Sequence, residues 1–189
     1  MTDTPMNPMN QAMNPTEPLK PNTNGMLRLF VYGTLKRGFW NHDRFCRGVL
    51  TVEDAVVRGR LYEMHSGIPV LQVPNGDVLA HGSLDPLADV ATQARFFEQL
   101  ASYPEPALKS ATTGDWAPVY GELLIFDDPE TRLSAIDRLE GFHPGGPCLY
   151  RRVLVPVGMN RGKRTVAWAY VAGGTSTDRY KWLPNGAWR

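Results

Sequence analysis

The stretch Arg28–Gly38, "RLFVYGTLKRG", decides the fold. Apolar and aromatic residues run from Leu27 to Tyr32, stop at Gly33, and give way to a turn carrying Lys36 and Arg37. Such a run reads as a strand, because branched and aromatic side chains suit a pleated, half-buried surface and glycine marks its end. The strand end has two readings. Glycine lets a ligand approach the main chain, and successive free N–H groups form a nest that suits a small carboxylate. Alternatively, Gly33 serves a tight turn that needs positive φ. The same pattern of ring residue, Gly, any residue and Leu recurs as "HGSL" from His81 and "YGEL" from Tyr120, so the pattern alone does not identify a site.

Further strands are expected at Ala55–Met64, Ala117–Phe126, Tyr150–Val157 and Arg164–Val171, the last two joined by a hairpin turn at "NRGK". "IPVLQVPNGDVLAHGSL" reads as two short strands around Asn75-Gly76, a hairpin signal. Two helices are marked by one device, an aspartate N-cap followed by proline at the first helical position. The first runs from about Pro86 to Ala101 after Asp85, and the second from Pro129 to Glu140 after Asp128, ending at Gly141 as a C′ residue. Mainly antiparallel strands with two or three helices indicate an α+β fold with a twisted or closed sheet. Residues 1–25, rich in Met, Asn, Pro and Thr, read as a disordered tail with no secretory signal. Residues 26–189 then form one domain, with a long segment at about 85–118.

Composition narrows the function. A net charge of +1 gives no field for nucleic acid or an anionic membrane. No apolar run approaches the roughly 20 residues that span a bilayer. Two cysteines, Cys46 and Cys148, make no disulfide framework, which points to a reducing, cytoplasmic setting. Gly33 and Gly38 have P-loop spacing, but Phe39 and Trp40 stand where Lys and then Ser or Thr would bind phosphate and magnesium, and the following residues lack a helix pattern. The four histidines are scattered, and Cys148 near His143 lacks a third ligand, so no metal or cofactor is expected.

One carboxylate is out of place. Leu133, Ile136 and Leu139 form the apolar stripe of the second helix, and Glu140 projects within about 20° of Leu133 and about 40° of Ile136. Asp137 lies at the edge of that stripe. Glu140 also occupies the last turn, where the helix dipole disfavours negative charge, and both effects raise its pKa. Glu140 is thus a candidate general acid/base. The other reading has it swing into solvent or pair with Arg151 or Arg152.

Together, "FVYGTLKRG", "IDRLEGF" and "LYRRVLVPV" resemble the gamma-glutamylcyclotransferase-like superfamily, with its gamma-glutamylamine cyclotransferase branch nearest. The likeness runs from about Leu27 to Val171, and "WLPNGAWR" resembles the Gly-x-Trp ending of many bacterial members. It implies a small, mainly antiparallel β-barrel with flanking helices and a cavity at one end. It implies cleavage of a gamma-glutamyl compound by its own α-amine, giving 5-oxoproline and an amine or amino acid. In that scheme Tyr32, Gly33, Thr34 and Leu35 hold the glutamyl group and Glu140 moves the proton, while Tyr150 either lines the cavity or is simply an aromatic residue that starts a strand. "HGSL" and "YGEL" then become strand segments with packing glycines. The alternative is a non-catalytic module on the same barrel that binds an amino-acid-like ligand. The 85–118 segment is long for compact members and is expected to cover the cavity mouth.

Overall fold

β1 (Leu27–Val31) is buried along its whole length in the computed structural model, which describes residues 25–102, 116–174 and 177–189. It is central: β5 (Ala117–Phe126) flanks it antiparallel and β7 (Arg164–Ala172) parallel. A strand covered on both faces requires the near-continuous apolar run seen in the sequence. Arg28 is accommodated by laying its guanidinium over the Phe97 ring, 4.6 Å from the centroid.

Five strands close into a barrel in the order β2-β5-β1-β7-β6, with β2 (Thr51–Glu63) pairing β6 (Tyr150–Met159) to complete the ring. β3 (Pro69–Gln72) and β8 (Lys181–Trp182) add to β2, and β4 (Ala80–His81) adds to β6. The fold is the expected α+β barrel, with one parallel pair among antiparallel ones. Side-chain alternation splits the core. Phe30, Tyr32, Val57, Val155, Ala167 and Ala169 fill the barrel, while Leu27, Leu29, Val31 and Trp168 pack outward with Leu133 and Ile136 of the second expected helix.

Among the described residues three α-helices surround the barrel: α1 (Trp40–Phe45), α2 (Pro86–Ser102) and α3 (Pro129–Glu140). α1 stands where no helix pattern was seen; at six residues it is too short to show a periodic stripe. The two aspartate-proline starts behave differently. Asp85 Oδ1 accepts from the N–H groups of Leu87 and Ala88 at 3.0 and 3.1 Å, a true N-cap. Asp128 makes no side-chain cap. Its carboxylate instead holds the Arg132 guanidinium, which also donates to the carbonyls of Phe45 and Arg47. Gly141 ends α3 in the left-handed region, φ 63° and ψ 33°.

One expectation is corrected, and a second falls only in part on the described residues. The Asn75-Gly76 segment is not a hairpin: β3 pairs with β2 and β4 with β6. Asn75–Asp77 forms a single 3-10 turn, pinned by a two-pronged ion pair in which Arg58 donates to Asp77 at 2.6 and 2.9 Å. Nor does the described part of the long segment cover the cavity. Val90 and Gln93 of α2 are buried, and the Gln93 side chain bonds Arg28 N–H and Met26 C=O at 2.8 Å each. Residues 103–115, and residues 1–24 of the expected tail, lie outside the described residues. No described helix is long and apolar enough to cross a membrane.

Candidate active site

β1 ends at Val31, and Tyr32, Gly33, Thr34 and Leu35 turn across the end of the barrel. There they line a pocket together with Ile68 before β3 and Pro69 at its start, Glu140 at the end of α3, and Tyr150 and Tyr170 from β6 and β7. Every residue expected at the site therefore meets at one place. The two other glycine patterns do not. A Cβ on Gly121 would lie 2.2 Å from Val31 O, and one on Gly82 would lie 2.6 Å from Arg152 Nε. Both are packing glycines, as expected.

The 33–38 turn is held from several sides. Lys36 N–H donates to Gly33 O at 3.0 Å, and Arg37 donates its N–H and Nε–H to Glu122 at 2.9 and 2.8 Å. Asn41 Nδ2 donates to Thr34 Oγ1 at 2.7 Å, and His42 Nδ1 donates to Leu35 O at 2.8 Å, so α1 serves as a brace behind the turn. The N–H groups of Gly33, Thr34 and Leu35 find no acceptor among the described residues. Gly33 is not in the left-handed region. Its small size is required because a Cβ there would lie 2.8 Å from Pro69 Cγ. The tight-turn reading thus gives way to close approach of two loops, which leaves the N–H groups free for an anion.

The tyrosines are walls rather than free donors. Tyr32 O–H donates to Tyr170 O at 2.7 Å, Tyr150 O–H to Pro69 O at 2.7 Å, and Tyr170 O–H to Asp137 Oδ1 at 2.6 Å. Burial first, and then the neighbouring negative groups, raise all three hydroxyl pKa values. They stay neutral and keep the pocket rigid.

Leu133 and Ile136 anchor α3 in the core, and the same face delivers Glu140 to the pocket. No described residue donates a hydrogen bond to its carboxylate. Burial, and secondarily the negative charge of Asp137, push its pKa up to about 7. The expected alternative, pairing with Arg151 or Arg152, does not form. Arg151 Nε donates to Ala172 O at 3.3 Å, and Arg152 turns both its Nη groups to Asp89, Asp137 and Ser83 O. A carboxyl that titrates near neutrality can both accept and return a proton.

Sequence reasoning missed Arg152, Asp89 and Trp188. The only signal for the first was a cation inside the apolar strand "YRRVLVPV". Asp89 gave none, because Arg152 is far away in the chain, and Trp188 stood out only as the end of the Gly-x-Trp pattern, with no role attached to it.

A family model described as gamma-glutamyl cyclotransferase, AIG2-like, matches residues 29–95 and 87–189. No curated protein matches the sequence. Among solved structures, YkqA from Bacillus subtilis is similar at 20% identity and a TM-score of 0.49; the match covers 86% of this chain but 39% of that protein, so this chain spans well under half its length. An AIG2-like protein from Mus musculus is 19% identical with a TM-score of 0.46, over 84% of this chain and 86% of that one. A Pyrococcus horikoshii protein is 18% identical with a TM-score of 0.46, over 86% and 89%. With the family model matching along nearly the whole described barrel, this chain belongs to the gamma-glutamyl cyclotransferase, AIG2-like family.

Proposed function

We propose that the protein is a gamma-glutamyl cyclotransferase, which releases 5-oxoproline and an amine or amino acid from a gamma-glutamyl compound. The observation that carries this reading is Glu140, an unpaired carboxyl titrating near neutrality in the pocket formed by the Gly33–Leu35 turn. The turn's free N–H groups receive the substrate's α-carboxylate. Glu140, as carboxylate, takes a proton from the α-ammonium. The freed nitrogen pair attacks the γ-carbonyl carbon, forming the ring C–N bond and sending the carbonyl electrons onto oxygen. Glu140 returns that proton to the leaving nitrogen as collapse of the oxyanion breaks its bond. The attack leaves the ring nitrogen with two hydrogens and a positive charge. It gives up the second proton through Glu140 to the released amine, leaving 5-oxoproline with a neutral ring amide and an ammonium product. Both reacting groups belong to one molecule, so holding it folded supplies much of the rate, with proton transfer supplying the rest. This chemistry needs no cofactor or metal. Two free thiols, Cys46 and Cys148, support a cytoplasmic setting.

The test is a panel of gamma-glutamyl amines and dipeptides, followed for 5-oxoproline by mass spectrometry. At least one should yield it with the native protein, and Glu140→Gln should bind that compound without converting it. Binding without 5-oxoproline from any panel member would replace this reading with a non-catalytic ligand-binding module.

A further inference from the structure

Trp188 is remote in sequence from the pocket, yet it touches both loops that line it. Its Nε1–H donates to Gly67 O at 3.1 Å, and its carbonyl accepts from Lys36 Nζ at 2.7 Å. Its ring packs against Phe39, centroids 5.1 Å apart, with Lys36 Nζ lying 5.5 Å from the Phe39 centroid and 6.0 Å from that of Trp188. Gly67 leads directly into Ile68 and Pro69, and Lys36 directly follows Gly33–Leu35. These residues form facing walls of the pocket.

The segment that carries Trp188 has a fixed base. Leu183 N–H donates to Leu61 O at 2.8 Å, and Tyr120 N–H donates to Gly186 O at 2.8 Å. Gly186 sits at φ 64° where a Cβ would lie 2.0 Å from Pro118 O, so only glycine passes there. The base is thus tied to β2 and β5, and the tip reaches over to the two loops.

We propose that Trp188 is a positioning residue: it clasps the 33–38 turn to the 64–69 loop and sets the width of the pocket mouth. This rests on the pocket being the gamma-glutamyl site. Without the clasp, the loops must be brought together each time a ligand binds, so ordering entropy is charged against affinity. Proton transfer is untouched, because Glu140 sits on α3, where Trp188 makes no contact.

The experiment compares Trp188→Ala, Trp188→Phe and Lys36→Met by steady-state kinetics and by hydrogen exchange of the ligand-free protein. Trp188→Ala should raise KM roughly tenfold with kcat within about twofold, the scale expected for losing one or two net hydrogen bonds. Exchange should quicken in residues 33–38 and 64–69 and stay unchanged in β6 and β7. Trp188→Phe keeps a ring against Phe39 but lacks Nε1–H, so it should fall between the native protein and Trp188→Ala. Combining it with Lys36→Met should raise KM by less than the product of the two single effects, as for one unit. If Trp188→Ala does not fold, the Phe and Met variants carry the test. Unchanged exchange in both loops overturns the clasp, as does a fall in kcat at constant KM. A native protein that neither converts nor binds any gamma-glutamyl compound refutes the proposed function, while the exchange result still decides the clasp.

Discussion

Asp137 and Glu140 stand one turn apart on α3, and only Asp137 holds a cation. Arg152 Nη1 lies 2.7 Å from both Asp137 oxygens, while its Nη2 reaches Asp89 at 2.5 Å and Ser83 O at 2.8 Å. The guanidinium is entirely buried over the rings of Phe142 and Trp168. Asp89 from α2 and Asp137 from α3 thus hold the Arg152 guanidinium, and Glu140 is left with burial and a negative neighbour.

Glu140→Gln is expected to cut turnover by roughly 10²–10⁴-fold with ligand binding retained. It should also stabilise the protein in a pH-dependent way. The folded pKa, about 7, exceeds the ordinary 4.5. The folded state therefore binds more protons across that window, and native stability falls as pH rises through it. Glutamine removes the penalty, so the variant should gain up to about 3 kcal/mol above pH 7 and nothing below the ordinary carboxylate range. Denaturant melts at pH 4 and pH 8 measure this, and a gain that did not grow with pH would contradict it.

The acidic limb of kcat/KM should follow Glu140 near pH 7. Asp137→Asn removes the charge that helps raise that pKa and leaves Arg152 less neutralised; both act in one direction. The limb should move to lower pH, and a pH-rate profile of the variant would reveal a shift the other way.

Arg152→Met should cost about 3–5 kcal/mol, because it leaves Asp89 and Asp137 buried without their partner. Asp137→Asn should also destabilise, in contrast to Glu140→Gln one turn away. Equal melting temperatures for the native and Arg152→Met proteins would show that the network carries no stability.

Gly33→Ala and Gly121→Ala separate a site glycine from a packing glycine. At Gly33 the added methyl meets Pro69 Cγ at 2.8 Å, a neighbour that shifts with its loop, so the fold should survive and affinity should fall. At Gly121 the methyl meets the Val31 carbonyl at 2.2 Å, within the barrel wall, so folding itself should fail or lose several kcal/mol. Circular dichroism melts together with ligand titration distinguish the two.

The sequence by itself determined β1, β5, β7 and α3, along with the anomaly at Glu140. Each is local: a run of buried strand residues, a proline start, a left-handed glycine end, a 100° step around a helix. It also marked Asp85 as a cap, whereas the identical signal at Asp128 was diverted by Arg132, whose other partners, Phe45 and Arg47, lie outside the helix. The Asn75-Gly76 signal makes no hairpin for a similar reason: β3 pairs with β2, β4 with β6, and Arg58 on β2 claims Asp77. Only the tertiary structure decided that Gly33 faces Pro69, that Asp89 joins Asp137 on Arg152 and leaves Glu140 unpaired, and that Trp188 bridges the two pocket loops. Those outcomes rest on competition for partners among residues far apart in the chain, and short-range periodicity holds no record of which partner is nearest once the barrel has closed.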